Sequence, residues 1–359
     1  MSYRINTKVV YVLISNESDY YCEQLLMSLF SLKHYNPDSY TEIATDSDTY
    51  QTLVGNRSLV KDYCNKISII DIPSELDQKQ RSRYLKTSLR NLINGDYLFL
   101  DTDTIIVGRI DEIDNCQFDI GAVVDFFPME GKDNFSKNAV KALGGNYLEE
   151  NPYFNSGVMY VKDTFISHNL YTRWHQFWKL SCKNGIYQDQ PSLYIANVEL
   201  NQFIKQIDAK WNCMVRFYTS LDVLPHAVIL HIFSSTYEKM GAEWKITHLL
   251  HALKNDSSLI KSDFSFLSNI KQLFITCRYV NQLKIERRHK FLCQSPPDFE
   301  RWKCFCPETA KYIFRANWNC SFIYKVLYYL ASFGPVWPLR FYIWAASYKE
   351  SLFGRSLHR

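Results

Sequence analysis

Tyr97-Leu98-Phe99-Leu100-Asp101-Thr102-Asp103 is a short apolar run that ends abruptly in two carboxylates. Four large apolar residues after Gly95-Asp96 suit a central strand buried on both faces. In open α/β sheets, ligands bind beyond the carboxyl ends of such strands. Alternation along an extended segment places Asp101 and Asp103 on one side, where both can reach a single divalent cation. A hard cation is the usual mate of a phosphate, so the pair predicts a nucleotide substrate.

Outward from this strand, β-branched or aromatic runs alternate with helical periods up to about residue 235. That is the pattern of an α/β sheet. The predicted strands are 9–15, 42–45, 67–70, 97–100, 120–124, 157–161 and 228–232. Ser18 is placed to cap a helix running to about Tyr35, with Leu25, Leu26, Leu29 and Leu32 at helical spacing. A second helix is predicted over 78–92. The chain shows no repeats and no Gly-rich phosphate loop. Holding phosphates therefore falls to a metal and to side chains.

The chain has 359 residues, 47% of them hydrophobic, enough for a large core. Its ten Cys lack zinc-like spacing, and Cys304-Phe305-Cys306 is too close for a zinc knuckle. They read as reduced thiols of a cytosolic protein. The apolar run 9–14 is short and is followed by Asn16-Glu17-Ser18-Asp19 without a cleavage pattern, as a first strand would be and a signal peptide would not. Charge is split along the chain. Residues 271–359 hold 15 Lys and Arg against 5 Asp and Glu, leaving 26 against 32 in residues 1–270, so the parts carry +10 and −6. The expected organisation is a catalytic domain over 1–240 and a helical, basic, aromatic-rich region over 241–359.

An Asp-x-Asp pair has other readings. A strand end followed by a turn is one. Another is an Asp-nucleophile phosphatase of the haloacid-dehalogenase type, whose motif Asp101, Asp103 and Thr104 satisfy, although no second acidic cluster follows. Further segments point elsewhere: Arg83-Tyr84-Leu85-Lys86 before the strand, then Phe154-Asn155-Ser156-Gly157-Val158-Met159, Asp189-Gln190, Trp211-Asn212 and His231. In this order and spacing the sequence resembles the retaining glycosyltransferases of family 8, which include bacterial lipopolysaccharide galactosyl- and glucosyltransferases and glycogenin. The resemblance covers roughly residues 8–235.

It implies a GT-A type α/β domain with a mixed central sheet, in which Asp101, Asp103 and His231 bind Mn²⁺, or Mg²⁺, bridging the diphosphate of a UDP-sugar. Imidazole with carboxylates suits Mn²⁺. His231 otherwise reads as a core histidine within Val228-Ile229-Leu230-His231-Ile232-Phe233. Asn155 and Ser156 would lie near the donor sugar, with Gly157 permitting close backbone approach. Asp189 would accept from sugar hydroxyls and Gln190 would face the anomeric carbon. Asp189-Gln190-Pro191-Ser192 also reads as a helix start. Arg83 offers a forked donor to phosphate or sugar oxygens, with Lys86 one turn later on the same face. Ser15, Asn16 and Tyr20 fall where relatives hold uridine, although Asn16 replaces a common acidic residue. Thr102 belongs to the same nucleotide-sugar set. Many relatives carry a diphosphate-binding Lys six residues after the metal His, whereas here Lys239 stands eight after His231 and is expected to serve from a longer loop.

The expected chemistry is hexose transfer from a UDP-sugar to a hydroxyl of a glycan or lipid-linked acceptor, in surface polysaccharide or lipopolysaccharide synthesis. Retention follows from the resemblance. An inverting enzyme would need a carboxylate base such as Glu149 or Glu150. Residues 312–348 hold 13 aromatics among Arg315, Lys325 and Arg340, and the uncharged run 326–339 is only 14 long and interrupted by Pro335 and Pro338. It is too short to span a bilayer. A basic, aromatic segment suits a seat on an anionic membrane surface, here the inner face of a membrane; the other reading is a helical subdomain packed on the catalytic core. Nucleic acid is not an expected partner, because no recognition module is present. A non-catalytic, membrane-associated sugar-nucleotide binding protein is the alternative outside enzymes.

Overall fold

The computed structural model describes residues 5–126, 134–215, 219–232 and 245–262. All lie in the first of two compact units, 1–280; the second is 281–359. The basic, aromatic tail and Lys239 fall outside the described residues.

A seven-stranded mixed sheet forms the centre. Its members are β1 (Lys8–Leu13), β2 (Thr41–Thr45), β3 (Lys66–Ile69), β4 (Tyr97–Leu100), β6 (Ile120–Val124), β7 (Phe154–Val161) and β8 (Lys205–Gln206), in the order β3-β2-β1-β4-β7-β6-β8. β1, β2, β3 and β4 run parallel, while β7 is antiparallel to both β4 and β6. Every residue of β4 and β7 is buried, as central strands covered on both faces require. The edge strand β3 is half exposed, and its Lys66 joins Lys8 on the buried carboxylate of Glu42 at 2.8 and 2.9 Å. Such a charge helps keep an edge from pairing with another chain.

A second sheet orders β5 (Thr104–Ile106), β10 (Ile229–His231) and β9 (Cys213–Met214) as β5-β10-β9. β5, β8 and β9 have two or three residues each, too few for alternation to reveal them. β7 starts at Phe154, three residues before the predicted position, so Asn155 and Ser156 also lie inside the strand.

Helix α1 (Tyr21–Tyr35) buries Leu25, Leu26, Leu29 and Leu32 against the sheet. Ser18 does not cap it. Tyr20 holds the cap position without a side-chain bond, and Ser18 turns to Asn16 Oδ1. The carboxylate of Asp19 takes over, accepting from Tyr21 N at 3.0 Å and Asn16 N at 2.8 Å. Helix α2 (Gln78–Ser88) starts with a reciprocal capping box between Asp77 and Gln80. Its predicted end survives as a tighter turn, Leu89–Asn91.

Helix α3 (Phe165–Lys183) lays Trp174 and Trp178 onto the core, and α4 (Gln190–Glu199) follows it. A further helix, α5 (Lys245–Asn255), packs beside α1. Among the described residues no helix is long and apolar enough to cross a membrane. The five described cysteines, Cys22, Cys64, Cys116, Cys182 and Cys213, are free thiols.

His175 joins α3 to α2. Its Nδ1 donates to Thr87 Oγ1 at 2.8 Å, and that hydroxyl donates to Arg83 O at 2.8 Å. Burial, helped by the nearby Lys179 charge, lowers His175 from 6.5 to about 4. The unfolded chain therefore takes up this proton first, and the contribution to stability is complete above pH 6.5 and declines as pH falls towards 4. Denaturant titrations across this window should show His175→Phe losing roughly 1 kcal/mol less than the wild type, the figure being discounted for partial exposure. Parallel losses in the two proteins would assign the acid sensitivity to other groups.

Candidate active site

Strand direction gathers the site. β1, β4 and β6 point one way, so the chain leaves all three at the same edge of the sheet, where the antiparallel β7 begins. Ser15 and Asn16 follow β1, Asp101 follows β4, Asp125 follows β6, and Asn155 to Gly157 open β7.

Asp101 and Asp103 do converge, but not by strand alternation. β4 ends at Leu100, and residues 101–104 form a turn closed by Thr104 N to Asp101 O at 3.2 Å. Thr104 Oγ1 braces the same carbonyl at 2.8 Å. The chain then enters β5, whose Thr104 pairs with His231 of β10, and Ile232 N donates to Asp103 O at 2.8 Å. This small sheet delivers a residue more than a hundred positions away to the turn.

His231 Nε2 lies 3.2 Å from Asp103 Oδ1 and 4.0 Å from Asp101 Oδ2, and one ligand atom from each residue falls within 4.8 Å of the others. Ligands about 2.1 Å from an octahedral cation sit ~3.0 Å apart when adjacent and ~4.2 Å when opposite. The donor set and its spacing fit a divalent cation. Gly157 makes the approach possible. A Cβ there would stand 2.2 Å from His231 Cε1 and 2.9 Å from Asp101 Oδ2, closer than any side chain tolerates.

Lys86 is the charge at the centre. Only 3% exposed, it donates to both oxygens of Asp101 at 2.9 and 3.0 Å and lies 3.4 Å from Asp189 Oδ2. Arg83 Nε is 3.1 Å from Asp189 Oδ1, and Ser156 Oγ donates to Asp189 Oδ2 at 2.6 Å. Burial alone would raise the Asp189 carboxyl, but Lys86, Arg83 and Ser156 outweigh it and hold it well below the usual range. Arg83 shifts upward: burial is overcome by Asp189, Asp101 and Asp103. In the same way Asp103 raises His231 against its burial, while Asp103 itself is lowered by His231.

Asp189 occupies the cap position of α4, yet its side chain caps nothing there. Ser192 Oγ and Trp174 Nε1 instead bind its carbonyl at 2.8 and 2.9 Å, which leaves the carboxylate for Arg83, Lys86 and Ser156. Gln190 Nε2 donates to Asp125 Oδ2 at 2.8 Å and Phe154 O at 3.1 Å. Asn155 Nδ2 reaches the same Asp125 oxygen at 3.0 Å.

A cavity of about 520 Å³ has Arg83, Lys86, Asp101, Thr102 and Asp103 in its wall, whereas Asn155, Ser156, Asp189, Gln190 and His231 are not part of that wall. Ser15 and Asn16 stand beside it, held by Arg57, which donates to Ser15 Oγ and Asn16 O at 2.9 Å each. Tyr20 is turned to α5, with its hydroxyl 2.7 Å from His251 Nδ1, and Tyr21 lines the cavity in its place. Gln78 and Asp125 also belong to the neighbourhood without having been predicted, and Asn212, part of the sequence pattern but given no role by it, joins them. Asp125 carried a legible signal, a carboxylate directly after the apolar run 120–124; Gln78, a polar residue in a first helical turn, carried none.

Residues 9–241 match the sequence model of glycosyl transferase family 8, well over half of the chain. The protein belongs to that family and is a glycosyltransferase of GT-A type. The phosphatase reading of Asp101 is thereby set aside, and both oxygens of that carboxylate are engaged by Lys86.

Among solved structures, the galactosyltransferase LgtC in complex with donor and acceptor sugar analogues is similar at 16% identity, over 68% of this chain and 96% of that one, with a TM-score of 0.48. Mouse xyloside xylosyltransferase 1 follows at 14% identity, over 64% and 98%, with a TM-score of 0.45. The glycosyltransferase GlyE of Streptococcus pneumoniae TIGR4 matches at 16% identity, over 72% and 64%, with a TM-score of 0.44. No curated protein matches by sequence.

Gly157→Ala should separate site from fold. The added methyl must push His231 and Asp101 apart, so Mn²⁺ affinity measured by titration should fall roughly 10- to 100-fold, as when metal ligands lose their support. Circular dichroism should stay unchanged. Wild-type affinity in this variant would show that the three side chains do not share a cation.

Proposed function

We propose that the protein transfers a hexose from a UDP-sugar to a hydroxyl of a glycan or lipid-linked acceptor, with retention of configuration, in the synthesis of a surface polysaccharide or lipopolysaccharide. The observation that carries this reading is the Asp101, Asp103 and His231 cluster at the cavity of a family 8 glycosyltransferase. The catalytic domain would span 1–240 and the C-terminal region 241–359. Mn²⁺ suits the mixed imidazole and carboxylate donors, with Mg²⁺ as the other choice. When bound, such a cation serves as a Lewis acid at the diphosphate.

The remaining roles follow from the side chains. As the bond from the anomeric carbon to the phosphate oxygen breaks, negative charge grows on the leaving group and positive charge on the sugar ring. Arg83 and Lys86 present fixed positive charge at the cavity wall without needing to reorganise, and such preorganised groups commonly contribute ~10²- to 10³-fold each. Asp189 stays ionised beside them, ready to accept from sugar hydroxyls. Gln190, anchored on Asp125, faces the anomeric carbon, and Asn155 and Ser156 border the donor. The acceptor oxygen would bond to the anomeric carbon from the leaving-group side and pass its proton to the departing phosphate. Glu149, one of the two carboxylates an inverting route could enlist, is 80% exposed at its side chain and bound to Lys137. Ser15 and Asn16 would hold the uridine together with Tyr21, which lines the cavity where Tyr20 was expected, and Lys239 would reach the diphosphate.

The protein is proposed to act in the cytoplasm at the inner face of a membrane. Supporting this is the +10 charge of residues 271–359, with 13 aromatics over 312–348.

Release of UDP from UDP-Gal, UDP-Glc and UDP-GlcNAc with Mn²⁺ tests the donor reading, and turnover of none of them would refute it. Asp103→Ala should abolish Mn²⁺-dependent UDP binding with the fold intact. Asp189→Asn should cut transfer roughly 10²-fold or more while changing UDP affinity little; equal loss of both would make Asp189 structural. Full-length protein should bind anionic vesicles in 0.1 M salt and leave them in 1 M, as the Debye length shrinks from ~10 to ~3 Å. Indifference to such vesicles at low salt would remove the membrane role.

A further inference from the structure

Four buried side chains form one hydrogen-bonded row behind the metal cluster. Asn155 Nδ2 donates to Asp125 Oδ2 at 3.0 Å, Asn212 Nδ2 donates to Asn155 Oδ1 at 2.9 Å, and His231 Nδ1 lies 3.0 Å from Asn212 Oδ1. Asn212 is 0% exposed and the other three no more than 5%. The Trp211-Asn212 pair is part of the sequence pattern, but no role follows from the pattern itself.

The direction of the row is fixed by its partners. Amide oxygen and nitrogen are told apart by what they face. Gly157 N–H, 2.9 Å from Asn155, can only donate, so the atom it meets is Oδ1. The amide nitrogen of Asn155 then points at Asp125, a carboxylate that accepts. With its oxygen turned to Gly157 and Asn212, Asn155 requires a donor from Asn212, which must present Nδ2. That leaves Asn212 Oδ1 for the imidazole. Facing an oxygen, His231 carries its hydrogen on Nδ1, and Nε2 is the nitrogen aimed at Asp101 and Asp103, at 4.0 and 3.2 Å.

We propose that Asn212 is a positioning residue of the metal centre, holding His231 in the Nδ1–H form and in the rotation that offers Nε2 to the cation. The inference rests on the reading of Asp101, Asp103 and His231 as metal ligands. A carboxylate, carbonyl or water oxygen usually accepts from the second nitrogen of a metal-bound histidine. Here the acceptor is an amide. Asparagine fits because the position needs an acceptor on one side and a donor on the other, while a carboxylate would set oxygen against Asn155 Oδ1. The same row ends on Asp125, which also receives Gln190. One continuous set of hydrogen bonds thus links the histidine to the residue proposed to face the anomeric carbon.

The test uses the full-length chain, Mn²⁺ and Cd²⁺. Asn212→Leu keeps the volume but removes both bonds, and its Mn²⁺ affinity, read by electron paramagnetic resonance titration, should fall roughly 10- to 100-fold with unchanged circular dichroism. Asn212→Asp keeps the acceptor towards His231 and should lose less. In Cd²⁺-loaded, ¹⁵N-labelled wild type, His231 should show metal coupling at Nε2 and a protonated Nδ1. Wild-type affinity in Asn212→Leu, or coupling at Nδ1, would overturn the proposal; should the Leu variant not fold, the Cd²⁺ spectrum decides alone. Failure of the wild type to bind either metal is a different result, which overturns the ligand assignment beneath this one.

Discussion

Asp101, Asp103 and Asp189 place three carboxylates in one partly buried region, and the positive charge of Lys86 makes that concentration tolerable. Like charges at short range raise one another's cost of ionisation, and burial adds to it. Lys86 touches Asp101 and Asp189 directly, Arg83 adds a second charge on Asp189, and His231 meets Asp103. Magnitude separates these contacts from surface pairs such as Lys137 with Glu149. A buried pair that loses one partner typically costs about 3–5 kcal/mol, whereas exposed pairs contribute about 0–1 kcal/mol. The placement of α2, which carries both Arg83 and Lys86, is therefore as much a requirement of the site as the metal turn itself. Its capping box, the His175 bridge and the packing of α3 all serve that placement.

Backbone geometry imposes a second requirement. The turn at 101–104, the start of β7 and the end of β10 must approach more closely than side chains on every strand would allow, and Gly157 removes the obstructing methyl. Strand ends of the main sheet, β10 of the small sheet and the helices α2 and α4 then deliver the polar groups to that edge. Catalysis by preorganised charge favours such a layout, because groups set on strands need little reorganisation when charge develops on the substrate.

The side of the cavity proposed to hold the nucleotide is built differently. Its loop after β1 is not a strand, and its shape depends on Asp19, which gathers Ser15, Asn16, Tyr21 and Gln78, and on the buried Arg57 beneath. Helix α5 adds Lys254, whose Nζ donates to Asp19 O at 2.8 Å and stands 4.4 Å from the Tyr20 ring. Residues far along the chain thus stiffen the loop proposed to hold uridine, and the occupation of Tyr20 by α5 brings Tyr21 to the cavity.

The sequence by itself determined the sheet and the chemistry at its edge. Continuous apolar and β-branched runs marked the long strands, and the abrupt carboxylates after Leu100 marked where a ligand would sit, because a buried strand cannot carry charge until it emerges. Asp101 and Asp103 were legible in this way, whereas Asn155, Asp189 and His231 stood out only through the resemblance to family 8. Tertiary structure alone decided how they meet. A turn and a two-sheet junction bring the carboxylates to His231 where alternation had been expected, since hydrogen-bonded pairing between distant segments leaves no periodic trace in either one. Lys86 read as one basic residue on a helix face, and only the packing of α2 against the sheet made it the buried partner of two carboxylates. Asn212, Asp125 and Arg57 reach the site through hydrogen bonds to residues far away in sequence, so these contacts existed only once the chain had folded.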